Sequence, residues 1–341
     1  MKREIILKSK AGILSIIVCM ALTVFAGCGN AGQKESGVAA SASAAEQGKS
    51  LTVGVMQVAD SAVLYTAEKE KLFEKEGLAV ELVEFGSASE LSKAFEAGGV
   101  DIVMTDMIVE GLLRKGGKNT KTIRTALGET AEEGRFIIAA SPNSKVETPE
   151  DLKGANVAIS ENTGMEYQVD SYLKELGIDE NDIHKVSIPS LSLRYETMME
   201  GKDVDAAILP DPLGLMAEKN GAKTVIDDTK LKQNVSITVI VADEHLISKN
   251  REAVELFCSA YDEAARMLND RPEDYRQLVL EKANVPENLK ESYEVPGYAV
   301  NTVPKSEEVD DVVTWLKKKG LIDTVYGYDD LVDPTFITGE S

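Results

Sequence analysis

The sequence predicts an α/β protein of two lobes, each built on a mainly parallel sheet flanked by helices. Three observations carry that expectation. Strand-like and helix-like apolar patterns alternate from Leu51 onward, the alternation starts afresh near Thr148, and two long apolar strands flank this second block. Repeated strand, helix and strand require crossover connections and therefore parallel pairing, while two flanking strands suit two passages of the chain between lobes.

Taken in order, "LTVGVMQV" reads as a buried strand and "SAVLYTAEKEKLFEKEG" as a helix closed by Gly77. "LAVELVEF" is a strand, "SASELSKAFEAGG" a helix and "VDIVMT" a strand. In the second block Thr148 caps a short helix with Pro149 at its first position, and "ANVAIS" follows as a strand. The stretch "TGMEYQVDSYLKELG" carries Met165, Val169, Tyr172, Leu173 and Leu176 at helical spacing. "HKVSI", "SLRYETMMEG", "VDAAIL" and a helix after "PDP" complete the block. The flanking strands "GRFIIAASPNS" and "NVSITVIVADEHLI" set the expected lobes: residues 51–141 plus 241–341, and residues 142–240. Hinges are expected at about 139–145 and 236–243.

Ahead of these elements, Lys2, Arg3, Lys8 and Lys10 precede an apolar run from Ala11 to Phe25, then Ala26, Gly27 and Cys28. This is the layout of a secretory signal peptide, too short for a membrane span of about 20 residues. Cys28 in "VFAGCGN" resembles the bacterial lipobox cysteine, which implies cleavage after residue 27 and a lipid anchor at Cys28. A plain cleaved signal and an uncleaved anchor are the alternatives. Residues 28–50 are rich in Gly, Ser and Ala and read as a flexible tether.

The whole chain carries a net charge of −21; residues 1–27 hold four Lys/Arg and one Glu, so the remainder stands three charges lower, at −24. Nucleic acid and anionic membrane surfaces are poor partners for such a body. His184 and His245 are far apart in sequence, and Cys258 shares a helical face with Val254, Tyr261, Ala265 and Leu268, so neither a metal centre nor a reactive thiol is expected. No phosphate-binding, dinucleotide or serine-nucleophile motif is found, and no cofactor is expected.

The series "LTVGVMQVADSAVLYTAEKEKLFEKEGLAVELVEF", "GGVDIVMTD", "TPEDLKGANVAIS", "MMEGKDVDAAILPDP" and "VPKSEEVDDVVTWLKKKGLID" resembles substrate-binding lipoproteins of ATP-driven importers. The nearest group is the nitrate, sulfonate, taurine and thiamine-pyrimidine (NMT1/THI5-like) set. The resemblance implies the type II periplasmic-binding fold: two lobes closing on a small molecule in the cleft between them. It further implies a monomer outside the cytoplasm, held to the bacterial membrane, that delivers its ligand to an ABC permease. A tethered sensor is an alternative, and an enzyme of the same fold a more distant one.

In parallel sheets ligands sit beyond the carboxyl ends of the strands. Those positions offer Asp60, Ser61, Gly86, Ser87, Thr105, Asp106, Glu129, Asn162, Thr163, Gly164, Ser190, Arg194 and Asp211. Tyr65, Phe85 or Tyr167 could stack on a flat ring. Asp60, Asp106 and Glu129 favour an amine-bearing or heterocyclic ligand, whereas helix N-termini and Arg194 favour an anion. Several of these residues have a structural alternative. Ser87 with Glu90 and Thr163 with Glu166 suit capping boxes, Ser61 and Thr105 suit caps, Asp106 and Asp211 suit helix starts, and Arg194 suits an ion pair at the surface.

Overall fold

The computed structural model describes residues 50–131 and 133–339. The expected signal peptide, Cys28 and nearly all of the tether lie outside the described residues.

The strands are β1 (Ser50–Met56), β2 (Ala79–Phe85), β3 (Ile102–Thr105), β4 (Thr120–Leu127), β5 (Phe136–Ala140), β6 (Asn156–Ile159), β7 (His184–Ser187), β8 (Ala206–Pro210), β9 (Lys223–Asp227) and β10 (Thr238–Asp243). They form two five-stranded sheets, ordered β2-β1-β3-β10-β4 and β7-β6-β8-β5-β9. In the first lobe the sheet is covered by helices α1 (Ala62–Lys69), α2 (Leu72–Lys75), α3 (Ala88–Glu96) and α4 (Met107–Lys115). The second lobe contributes α5 (Gly164–Glu175), α6 (Leu191–Glu200) and α7 (Leu213–Lys219). The chain then adds α8 (Glu244–Lys249), α9 (Arg251–Asp270), α10 (Pro272–Lys282), α11 (Ser306–Lys318) and α12 (Tyr328–Leu331) to the first lobe.

Each sheet is mainly parallel, as expected, with one strand reversed: β1 pairs in parallel with β2 and β3, and β6 with β7 and β8, while β10 and β5 run antiparallel to both of their neighbours. One expectation is corrected. "RFIIAA" is no crossing strand: β5 lies wholly in the second sheet, between β8 and β9. The passages between sheets are therefore residues 128–135 and 228–237, upstream of the expected 139–145 and 236–243. A buried apolar run satisfies a sheet interior as readily as a crossing, so composition alone misplaced the boundary by several residues.

The alternation of side chains explains the cover on both faces. Ile102 and Met104 point into the core beneath α1 and α9, with Val63, Phe257 and Tyr261, while Val103 between them points to Val239, Leu316 and Trp315. Ile138 and Ile137 divide in the same way in the second lobe. The long helix expected after β1 breaks at Lys71, whose φ of 57° is left-handed and separates α1 from α2. Cys258 is 1% exposed, and burial pushes its thiol up to about 12, as its helical face implied. No helix among the described residues is long and apolar enough to cross a membrane.

The two passages touch. Gly128 opens the first with φ +97°, and a Cβ there would overlap the Ser236 carbonyl of the second. Asn234 ties them further, its side-chain amide donating to the carbonyls of Gly128 at 2.6 Å and Thr130 at 3.1 Å.

Candidate functional site

The carboxyl ends of β1, β3, β6, β7 and β8 converge on an inner chamber of about 100 Å³ between the sheets. Its walls are mostly apolar: Met56, Met104, Met165, Leu91, Phe136 and Pro210 supply much of the surface. Polar groups enter at Asp60, Thr105, Asp106, Thr163 and Arg194.

Asp106 caps α4, its Oδ1 accepting from Val109 N at 2.9 Å, and it also meets the Gly164 N–H that opens α5 in the other lobe. Burial pushes its carboxyl up, against these N–H groups. Burial likewise raises Asp60, which the Thr238 hydroxyl partly offsets. Among the described residues neither carboxylate pairs with a Lys or Arg.

Arg194, a site candidate for which a surface ion pair was the alternative, is fully buried at 0% exposure. Its Nε donates to Ile188 O at 2.9 Å, Nη1 to Ile208 O at 3.1 Å and Nη2 to Pro189 O at 3.2 Å, with Met165 Sδ beside Nη1. No carboxylate among the described residues stands within ion-pair distance, and burial lowers the guanidinium to about 10. Three carbonyl dipoles and the Met165 thioether offset this charge.

An outer chamber of about 240 Å³ adjoins the first, and Asp60, Phe136 and Pro210 line both. Asp211, Arg135, Tyr293 and Glu294 belong to the outer chamber. Arg135 Nη2 lies 2.8 Å from Glu218 and 3.0 Å from Asp227, and Nη1 lies 3.7 Å from Asp211. Asp211 also starts α7, accepting from Leu215 N at 2.9 Å; burial raises its carboxyl to about 6 although Arg135 opposes this.

The remaining candidates fall elsewhere. Glu129 and Gly164 line an adjoining groove of about 480 Å³, which Asp106 also reaches, with Tyr167, Lys232 and residues of α11. Asn162 lies in an outer groove between α3 and β6, which Thr163 also reaches. Ser61 is buried and donates to Met56 O at 2.6 Å, a structural role. Tyr65 is in the first core with its hydroxyl on Glu84 at 2.6 Å, and Tyr167 packs edge-on against Trp315 at 5.7 Å, so neither faces the inner chamber. Ser87 and Ser190 cap α3 and α6, and Gly86 N donates to Glu90 rather than lining either chamber. Glu90 and Glu166 reach Gly86 N and Asn162 N, one residue before the caps and not the cap nitrogens themselves.

Sequence reasoning missed Phe136, Arg135, Tyr293 and the chamber methionines. Arg135 and Phe136 sit where the misplaced boundary hid a strand end. Tyr293 lies in "SYEVPGY", a stretch without periodicity that gives no signal of what it faces.

A protein of Brachyspira hyodysenteriae named an ABC transporter periplasmic binding protein is 26% identical over 282 residues, covering 79% of this chain and 77% of that one. The periplasmic aliphatic sulphonate binding protein SsuA from Escherichia coli has a similar fold, with a TM-score of 0.69, 19% identity and coverage of 83% of this chain and 97% of its own. The periplasmic nitrate-binding protein NrtA from Synechocystis superposes with a TM-score of 0.67 at 13% identity, covering 84% of this chain and 87% of its own. These likenesses give the two-lobed periplasmic-binding fold. Residues 44–281 match the NMT1-like family, and this chain belongs to it.

Proposed function

We propose that this protein is the extracytoplasmic solute-binding component of an ABC importer, and that its cleft takes a small amine-bearing or heterocyclic molecule. The observation that carries the ligand class is the pair Asp60 and Asp106, buried in a mostly apolar chamber with no Lys or Arg among the described residues within ion-pair distance of either, although Arg194 lines the same chamber. A ligand N–H or ammonium group would restore their charged forms and satisfy them. Delivery to a permease is supported by the name of the Brachyspira relative and by the family. The family and this relative are those of a binding protein, not an enzyme.

One observation favours a second reading, an anion of the nitrate or sulfonate kind: Arg194 is buried without a carboxylate. A thermal-shift screen separates the two, with alkanesulfonates, taurine and nitrate in one set and aminopyrimidines, amines and amino acids in the other. A ligand at 100 times its Kd adds about 2.7 kcal/mol. Stabilisation by the second set alone is expected; stabilisation by nitrate or alkanesulfonates alone would replace this reading with the second.

We further propose that the chain is anchored through lipidated Cys28. Cys28→Ser is expected to move the protein from the membrane to the soluble fraction, and continued membrane association would overturn the proposal.

A further inference from the structure

The two chambers differ in chemistry. The outer one is lined by Asp60, Asp211 and Glu294 against the single guanidinium of Arg135, which is shared among Glu218, Asp227 and, at 3.7 Å, Asp211, leaving Asp60 and Glu294 unpaired by it. Tyr293 is only 4% exposed and lines this chamber, yet its hydroxyl has no hydrogen-bond partner among the described residues. Asp211 and Asp60 are near enough for their charge to bear on that hydroxyl. Acidic groups, an unpartnered phenol and the ring of Phe136 together suit an ammonium ion, which bonds to carboxylate and hydroxyl oxygens and is attracted to aromatic faces.

The inner chamber offers the opposite end. Arg194 has five N–H donors and four acceptors, three of them carbonyls and one a thioether, so a donor remains for an incoming acceptor. Asp60, Phe136 and Pro210 form the neck common to both spaces. Together the two volumes reach the low end of the range of about 300–1,000 Å³ seen for small-molecule sites.

We infer, building on the amine-bearing reading above, that the ligand is elongated and two-ended. Its ammonium group lodges against Asp60 and Tyr293 in the outer chamber, its apolar body passes the Phe136 neck, and an acceptor or anionic group at the far end faces Arg194.

Titration calorimetry on the full-length protein in detergent tests this with three matched series of two to eight methylenes: ω-amino carboxylates, alkylamines and alkanoates. At one optimal length the amino carboxylate is expected to bind at least about 10-fold tighter than either single-ended analogue, a difference of about 1.4 kcal/mol. Asp60→Asn should abolish its advantage over the alkanoate. Tyr293→Phe, which keeps the ring, should weaken the amino carboxylate and the amine by about 3- to 10-fold and leave the alkanoate unchanged.

Amines that bind in an Asp60-dependent way, but no better with a terminal carboxylate at any length, would overturn the two-ended ligand while leaving the amine reading intact. Binding by alkanoates alone, unaffected by Asp60→Asn, would overturn both. Failure of every member to bind would overturn the two-ended ligand.

Discussion

Trp315 Nε1 donates to Asp170 Oδ2 at 3.0 Å and thereby joins α11 of the first lobe to α5 of the second. Around this bond Lys319 Nζ lies 2.8 Å from Glu166 and 3.5 Å from Asp170, and Lys185 lies 3.0 Å from Glu166. Burial alone would raise Glu166, yet the Asn162 N–H and the two ammonium groups hold it below its ordinary range. Because α5 begins at Gly164, beside Asp106, the cluster connects the grip between lobes to the inner chamber.

Lys319→Met should weaken that grip. Lys319 is partly exposed and Lys185 remains, so the expected cost is about 1–3 kcal/mol in urea unfolding, below the value for a wholly buried pair. X-ray scattering should also show a larger radius of gyration for the variant without ligand. An unchanged radius and unchanged stability would mean that the cluster does not hold the lobes together.

A second buried pair should respond more sharply. Arg124 Nε and Nη2 bond Asp262 at 2.9 and 2.8 Å, while Nη2 also bonds Phe336 O at 3.0 Å near the end of the chain. Asp262→Ala leaves the guanidinium buried without its carboxylate and is expected to cost about 3–5 kcal/mol. Replacing both partners, as Arg124→Met with Asp262→Leu, should cost clearly less. Equal losses in chemical denaturation would show that packing, not the stranded charge, sets the penalty.

Glu110 gives a pH signature. It is fully buried, with Oε2 accepting from Thr122 Oγ1 at 2.6 Å, and burial raises its carboxyl to about 7. The folded state therefore binds this proton more tightly than the unfolded chain. Its stabilisation is full below the unfolded value of about 4.3 and is lost as pH rises through about 7. Comparing stabilities at pH 4.5 and pH 8, the wild type should lose on the order of 3 kcal/mol more than Glu110→Gln. Parallel pH profiles for the two proteins would contradict a raised Glu110.

Ligand binding should change the angle between the lobes, with rotation at residues 128–135 and 228–237. Gly128→Ala forces a side chain into the Ser236 carbonyl and is expected to destabilise by more than 1 kcal/mol, because alanine is also strained at φ +97°. The same scattering curve with and without a confirmed ligand would rule out this motion.

Much of the architecture was legible because it rests on local rules. Val53 and Val55 in β1, the caps at Ser87 and Thr163, and the buried face of Cys258 each follow from spacing a few residues long. The one reversed strand in each sheet was not legible: β5 and β10 run antiparallel because the chain enters each sheet from the other lobe, a fact of topology that no short window contains. The site divided in the same way. Asp60, Thr105, Asp106, Thr163, Arg194 and Asp211 follow strand ends and do reach the chambers. Ser61 and Tyr65 share that neighbourhood, but a single 3-10 turn over Ala59–Ser61 and then α1 direct them into the core. Tyr293 arrives from more than two hundred residues away, and its place depends on how the tail packs.

The insertion of β10 between β3 and β4 sets a timetable for the growing polypeptide. The second sheet is contiguous from β5 to β9 and can assemble once residue 227 has been made. The first sheet cannot: β3 and β4 have no strand between them until Thr238–Asp243 is synthesised, and α9 must then cover the face that carries Ile102. Its amino-terminal half thus stays unable to complete its hydrogen bonding through most of synthesis, so the order in which the lobes fold is the reverse of the order in which their first strands are made.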